Sequence, residues 1–197
     1  MANFFIEDNY KGIIAGVDEA GRGPWAGPVV AGAVILDRDN VPEGIDDSKK
    51  LKEQKREELF EQIMNVAMVG VGIVSVEEID QMNILQATML AMQKAVDNLP
   101  VKPNIALIDG NKTPNLSCDA HAIIKGDSKS LSIAAGAIIA KVTRDRIMKE
   151  LATKFPDYAW EKNSGYGTKL HQEALAKYGV TSHHRKSFKP VAKLLAA

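Results

Sequence analysis

Four carboxylates in this chain, Asp18, Glu19, Asp109 and Asp127, stand within two residues of a glycine near points where an apolar run gives out. Residues 13–24 read I-I-A-G-V-D-E-A-G-R-G-P, so a run of strand character carries Asp18 and Glu19 into a Gly-Arg-Gly turn. Adjacent carboxylates at the end of a buried strand are unfavourable unless something neutralises them. A divalent cation would do so, and the glycines would let a phosphate backbone come close. Asp109 repeats the arrangement in N-I-A-L-I-D-G (104–110). In an α/β sheet the ligand crevice lies outside the carboxyl ends of the strands, so two strands that deliver acids to that edge can share a metal. Taken alone, Asp109 is equally a D-G turn residue. Side-chain alternation turns Glu19 away from Asp18 unless the strand ends there, an ending that Gly21 and Gly23 permit. Asp127, in I-I-K-G-D-S-K-S-L-S (123–132), has two readings. It is the N-cap of the helix that follows, or a further metal ligand with Ser128 and Lys129 turned to a phosphate.

The elements that must position these acids alternate along the chain. Residues 12–18 and 28–36 are apolar, β-branched runs separated by Gly/Pro punctuation, which predicts neighbouring buried strands. Further strands are expected at 68–76 and 104–110, with a weaker one at 119–125. Helical spacing runs through 49–67 (Leu51, Leu59, Phe60, Ile63, Met64, Ala67) and through one long helix from about Val76 to Leu99, ended by Pro100 and Pro103. A strong helix is expected over 128–151, where Ser132, Ala134, Ala135 and Gly136 would let it approach the sheet closely. Residues 152–168 mix Pro, Asn, Gly and aromatics and read as a loop. A short helix follows from Thr168 as N-cap to Gly179 as stop, and 183–188 is an irregular basic stretch with a final turn beyond Pro190. The pattern is an α/β core through about residue 155 with a small helical part beside it.

Bulk composition narrows the function classes. The 197 residues fit one domain or one domain with an appendage. Cys118 is the single cysteine, so no intramolecular disulfide forms, which fits a reducing compartment. The acidic N-terminal segment lacks the apolar run of a signal peptide, and no apolar segment approaches the roughly 18 residues of a membrane span. A soluble, cytoplasmic protein is the expectation. Net charge is zero but segregated: residues 1–140 hold 13 Lys/Arg against 20 Asp/Glu, residues 141–197 hold 12 against 5. A phosphate-binding flank beside an acidic metal site would look like this, and so would a solvated basic tail. The G-x-G at 70–72 is no dinucleotide loop, a P-loop is missing, and His121, His171, His183 and His184 lack zinc spacing. His183 and His184 read as part of a polar loop. Gln172, Leu175 and Tyr178 echo a sliding-clamp-binding box, at a spacing that is also that of an amphipathic helix face.

Six segments then occur in order: D-E-A-G-R-G-P at 18–24, D-S-K-K-L at 47–51, D-G-N at 109–111, K-G-D-S-K-S at 125–130, G-Y-G-T at 165–168 and H-R-K-S-F at 184–188. Together they resemble bacterial ribonuclease HII, the type 2 ribonuclease H, from about residue 12 to 190. The related ribonuclease HIII typically has Glu where this chain has Asp127, and an added N-terminal domain for which no room is left ahead of residue 12. The resemblance implies an α/β fold with a ribonuclease H-like mixed sheet flanked by helices and a small helical C-terminal extension. It divides the chain into a catalytic core over 1–155 and an extension over 156–197 that contributes substrate contacts. The implied activity is an endonuclease that hydrolyses the phosphodiester 5′ of ribonucleotides, in RNA/DNA hybrids and as single ribonucleotides embedded in duplex DNA, leaving 3′-hydroxyl and 5′-phosphate ends.

By similarity, Asp18, Glu19, Asp109 and Asp127 are the metal-binding catalytic carboxylates. Their all-oxygen donors suit Mg²⁺ or Mn²⁺, two ions about 4 Å apart serving the attacking water and the departing oxygen. Only the 2′-hydroxyl tells RNA from DNA at one nucleotide. The resemblance assigns its reading to backbone groups of Gly21, Arg22 and Gly23, and assigns junction sensing to the Tyr166 ring against the following deoxyribose. Lys49, Lys50, Ser128, Lys129, Arg185, Lys186 and Ser187 are the phosphate-contact candidates. Arg144 and Arg146 either join them or pair with Asp145 or Glu150. A monomer is expected, with a sliding clamp as a possible partner. The alternatives are a resolvase-like two-metal DNA nuclease, a catalytically silent hybrid-binding module and a small-molecule phosphohydrolase.

Overall fold

The computed structural model describes residues 2–196. Met1 and Ala197, the outermost residues of the two units expected at 1–155 and 156–197, lie outside the described residues. Five strands form one mixed sheet: β1 (Ile14–Ala20), β2 (Val29–Ile35), β3 (Met68–Val74), β4 (Ile105–Asp109) and β5 (Asp119–Ile123). Their spatial order is β3-β2-β1-β4-β5. β2 pairs antiparallel with β1 and with β3, whereas β4 joins β1, and β5 joins β4, in parallel. Among the described residues seven α-helices complete the fold: α1 (Glu53–Val66), α2 (Val76–Met82), α3 (Ile84–Asp97), α4 (Leu131–Lys154), α5 (Trp160–Asn163), α6 (Lys169–Tyr178) and α7 (Lys189–Leu195). Among the described residues no helix is long and apolar enough to cross a membrane.

Glycines set how closely the layers stack. On one face α3 lies so near β3 that a Cβ at Gly72 would sit 2.0 Å from the Ala91 carbonyl oxygen. This is the role of the G-x-G at 70–72. On the opposite face α4 crosses β1 and β2: a Cβ at Gly16 would meet the Ser132 carbonyl carbon at 2.0 Å. Ala15, Val17, Ala106 and Ile108 fill the α3 side with Ala91, Met92 and Ala95. Leu59 and Ile63 of α1 pack with Ala135, Ile138 and Ile139 of α4 on the other. Strand side chains alternate between these two layers.

Three elements depart from the sequence expectation. The stretch from Val76 to Leu99 is two helices. Ser75 and Glu78 form a capping box that starts α2, and Asn83, at φ +75°, breaks the run and recaps α3 by accepting from the Leu85 and Gln86 amides. One interrupted residue leaves the apolar stripe in phase, so periodicity does not register the break. The long helix begins at Leu131, not 128, because Ser130 is its N-cap. Residues 152–168 are a packed corner: Tyr158 and Trp160 are buried with Met148, Ala174 and Leu175. The C-terminal segment is stitched to the β1–β2 connection, where Gly27 N–H donates to His183 O at 2.9 Å and Arg185 N–H to Trp25 O at 2.7 Å.

Candidate metal centre and substrate cleft

Strand register decides which acids meet. In the parallel β1–β4 pair Ile14 lies opposite Ile105 and Val17 opposite Ile108. One residue further along, the same alignment sets Asp18 beside Asp109. Val17 and Ile108 point into the α3-side core, so by alternation both aspartates leave the sheet on the α4 side. Asp127 comes from the 3-10 turn Gly126–Ser128 just ahead of α4, and Gly126 N–H donates to Asp109 Oδ1 at 2.7 Å. One carboxylate oxygen from each of Asp18, Asp109 and Asp127 lies within 4.8 Å of the others.

Asp127 is not the cap of the long helix. Ser130 Oγ accepts from Ile133 N–H at 3.1 Å, while Glu7 accepts from Ser130 Oγ at 2.6 Å and from Ser132 N–H at 3.0 Å. With the helix start satisfied by those groups, the Asp127 carboxylate is left to the acid group. There it accepts from Lys49 Nζ at 2.9 Å. Burial, then the charges of Glu19 and Asp109, push the Asp18 carboxyl well above the usual carboxylate range. Burial and Asp127 raise Asp109 as well. Desolvation acts to lower Lys49, but the hydrogen bond and charge of Asp127 raise it on balance. Carboxylates that repel one another this strongly form a site that draws cations, and oxygen-only donors at this spacing fit a hard divalent ion.

Glu19 stands outside this three-acid set. β1 continues as strand through Ala20, yet the Glu19 side chain hydrogen-bonds that of Asp18 and is the foremost charge acting on it, so the two carboxylates are neighbours. The Glu19 carboxylate accepts from Arg22 Nη1 at 3.2 Å and faces Leu85, Met89 and Met92 of α3. It also lines the cleft of about 280 Å³ that opens over the acids.

The other walls of that cleft are the Gly21–Gly23 turn, Ser48, Lys49, Lys141, Arg144 and Tyr166. Gly21 has φ +97°, and a Cβ there would lie 2.1 Å from Arg144 Nε, so the position takes glycine only. A Cβ at Gly23 would be 3.3 Å from Tyr166 Cε1: the turn and the half-exposed tyrosine ring are neighbours. Two buried guanidiniums hold the turn from behind. Arg185 donates to the carbonyls of Gly21 (2.6 Å), Arg22 (2.9 Å), Gly27 (2.8 and 2.9 Å) and Pro28 (3.1 Å). Arg144 donates to Pro28 (2.9 Å), Ala26 (3.1 Å) and Ser164 (3.0 Å). Burial, with Arg144 adding its repulsion, pulls Arg185 down to about 9, and burial pulls Arg144 to about 10. Both stay charged at neutral pH.

The phosphate-contact candidates therefore separate. Lys49 lines the cleft. Arg185 is fully buried with its donors spent on carbonyls, so it is not a phosphate contact. Ser187 is engaged by Asp80, to which its Oγ donates at 2.6 Å and its N–H at 2.9 Å. The Lys186 side chain is exposed while its N–H also donates to Asp80. Ser128 Oγ and Lys129 Nζ donate to the Lys125 and Ile124 carbonyls. Lys50 is exposed, 3.8 Å from Asp46 and 3.9 Å from Asp47. Arg144 is buried with its donors spent on carbonyls, and Asp145 accepts from Lys141 at 2.7 Å; Arg146 pairs with Glu57 and Glu61. His184 is wholly buried, not a polar loop residue. Of the clamp-box residues only Leu175 is buried, at 2% exposed; Gln172 donates to Gly167 O, and both it and Tyr178 are exposed. Sequence reading passed over Ser48, though D-S-K-K-L contains it, and Lys141, which no motif marks.

A family model described as Ribonuclease HII matches residues 15–191. A protein named Ribonuclease HII from Jannaschia sp. is 57% identical over 194 residues, covering 98% of each chain. Among solved structures, ribonuclease H2 from Pyrococcus horikoshii matches with a TM-score of 0.77 at 31% identity, over 92% of this chain and 96% of that one. The PCNA:RNase HII complex from Archaeoglobus fulgidus matches with a TM-score of 0.76 at 32% identity, over 90% and 95%.

Proposed function

The chain belongs to the ribonuclease HII family and is a metal-dependent endonuclease acting on RNA/DNA hybrids and on ribonucleotides in duplex DNA; we propose that it cuts 5′ of the ribonucleotide and leaves 3′-hydroxyl and 5′-phosphate ends. The observation that carries this reading is the group of Asp18, Asp109 and Asp127, gathered within 4.8 Å, with Asp18 and Asp109 lining a cleft edged by glycine backbone and a tyrosine ring. These three carboxylates would hold the divalent cations, Mg²⁺ or Mn²⁺, with Glu19 contributing from beside Asp18 when two are bound. Such ions supply Lewis-acid stabilisation of the charge that develops on the phosphate and the departing oxygen.

The chain's own residues do the rest. Lys49 offers its ammonium to a phosphate over the acids. The Gly21–Arg22–Gly23 backbone presents its polar groups to a 2′-hydroxyl, the one feature that separates RNA from DNA at a single nucleotide. Tyr166, beside Gly23, packs against the next sugar and favours one without the 2′ oxygen. Lys50, Ser128, Lys129 and Lys186 are proposed as outlying phosphate contacts. The relative from Archaeoglobus fulgidus was solved with PCNA. A clamp remains a proposed partner here, through a surface other than the packed face of α6. A monomer located in the cytoplasm is the accompanying proposal.

The test uses a labelled DNA duplex with one ribonucleotide beside its all-DNA twin, incubated with Mg²⁺, Mn²⁺ or chelator. A nick 5′ of the ribonucleotide alone, lost with chelator and in Asp109→Asn, is expected. Cutting of both duplexes would replace the 2′-hydroxyl reading with a general two-metal DNA nuclease. Binding without cutting would indicate a silent hybrid-binding module.

A further inference from the structure

Behind Tyr166 lies a pair of histidines that the cleft itself does not use. His171, in the first turn of α6, and His184 are both wholly buried, with their Nε2 atoms 3.0 Å apart. Their partners fix where the protons are. His171 Nδ1 lies 2.9 Å from the Tyr166 carbonyl oxygen, which can only accept, so Nδ1 carries hydrogen. Thr181 N–H points at His184 Nδ1 at 3.0 Å and can only donate, so that nitrogen is bare. A neutral His184 then carries hydrogen on Nε2 and donates it to His171 Nε2, which also accepts from Trp160 Nε1 at 3.2 Å. The result is a one-directional chain: Thr181 to His184 to His171 to the backbone of Tyr166. That carbonyl takes a second hydrogen bond, from Thr168 N–H at 2.8 Å, while the Tyr166 N–H donates to Asn163 O at 2.8 Å.

We infer that His171, oriented by His184, is a positioning residue that holds Tyr166 in place for recognition of the ribonucleotide junction. This rests on the reading of Tyr166 as the junction-sensing ring. The phenol ring reaches the cleft half-exposed, and α6, packed on Trp160 and Tyr158, does not touch the acids. The histidine pair is therefore a side-chain link, beside the backbone bonds to Asn163 and Thr168, between the buried interior of the C-terminal part and the ring that it delivers to the cleft. Small errors in placing a contact lower turnover strongly, so loosening this link acts on selectivity before it acts on metal chemistry.

The experiment measures kcat and KM separately, in saturating Mg²⁺, on a duplex with one ribonucleotide and on a uniform RNA/DNA hybrid. The enzymes are wild type, Tyr166→Ala, His171→Leu, His171→Asn and the Tyr166→Ala/His171→Leu double variant. Asn places an amide N–H where Nδ1 stood and keeps the bond to the Tyr166 carbonyl; Leu does not. Should Leu prevent folding, His171→Gln serves, because its amide reaches the Nε2 position and leaves the carbonyl without that donor. His171→Leu is expected to lower kcat on the single-ribonucleotide duplex about tenfold relative to the hybrid, with KM little changed. Asn restores most of the loss, and the double variant is no worse than Tyr166→Ala. Equal loss on both substrates without rescue by Asn would make the pair merely structural and overturn the inference. So would unchanged selectivity in His171→Leu while Tyr166→Ala loses it, with the tyrosine reading left standing. Unchanged selectivity in Tyr166→Ala would remove that reading and the inference together.

Discussion

Replacing Arg185 with Met keeps much of the side chain's length and removes a charge and five N–H···O contacts to the turn that carries Gly21–Gly23. The carbonyls do not suffer equally. Pro28 keeps the donation from Arg144 Nε at 2.9 Å, and the carbonyl of the exposed Arg22 is within reach of water. Gly27 is buried and loses both of its guanidinium contacts, and Gly21 loses one of 2.6 Å. Two stripped carbonyls cost about 1–3 kcal/mol each, and the release of a dehydrated charge, the same dehydration that pulls Arg185 down to about 9, offsets part of this. The net expectation is a loss of about 2–4 kcal/mol, read by urea denaturation at pH 7 as a lower midpoint with an unchanged slope. If the turn relaxes by about 1 Å, kcat/KM on a duplex with one ribonucleotide falls on the order of 10²-fold. Arg185→Lys, which keeps the charge but not the planar fork, should fall between. Wild-type stability and cleavage in Arg185→Met would refute the claim that this guanidinium builds the turn. Lost stability with normal cleavage would leave it a fold residue only.

Asp18→Asn should abolish metal-dependent cleavage and yet stabilise the metal-free protein. Burial raises Asp18 and Asp109 in the fold, so the folded protein keeps protons that the unfolded chain releases near pH 4, and stability falls as pH rises above that value. The gain in Asp18→Asn, about 1–2 kcal/mol at pH 7 in chelator, should shrink towards pH 4; a pH-independent difference would contradict it. His184 has the opposite sign. Burial first, then His171 and His183, lower it from 6.5 to about 4, so its contribution is present above 6.5 and is lost as pH falls through 4. The stability difference between wild type and His184→Gln should therefore shrink by about 2 kcal/mol between pH 7 and pH 4.5, measured by urea melts. Gly16→Ala would put a methyl 2.0 Å from the Ser132 carbonyl carbon and force α4 off the sheet. It should cost about 1–3 kcal/mol or more and reduce cleavage with it, since α4 follows directly on the Asp127 turn; thermal melting and the nicking assay read both.

Much of this architecture was legible because local composition carries it. Apolar, β-branched runs ending in Asp-Glu-Ala-Gly and Asp-Gly mark buried strands that deliver acids to one sheet edge, and Thr168 and Gly179 bracket a helix by capping chemistry alone. The open and mistaken readings share one cause. For Asp127 local sequence leaves helix cap and metal ligand both open, because Ser130 and Glu7, the groups that satisfy that helix start, are brought together from residues far apart in the chain. Residues 152–168 looked like a loop because Pro, Asn and Gly dominate them, while Trp160 and Tyr158 find their core partners elsewhere in the fold. Arg185 and His184 looked like surface charge because a basic string is normally solvated. Here the fold surrounds Arg185 with carbonyl oxygens and sets His184 against His171.

The sequence by itself determined the donor chemistry: which strands end in carboxylates, which turn is glycine, and that the family motifs occur in order. Only the tertiary structure decided which of those groups meet. Parallel pairing of β1 with β4 sets Asp18 beside Asp109, the end of β1 brings Glu19 into the same cleft, and the turn ahead of α4 brings Asp127 to close the group. Alternation makes a one-residue difference in register or strand length move a side chain to the opposite side of the sheet, and that choice is made by the layers packed on the sheet, not by the residues next in sequence.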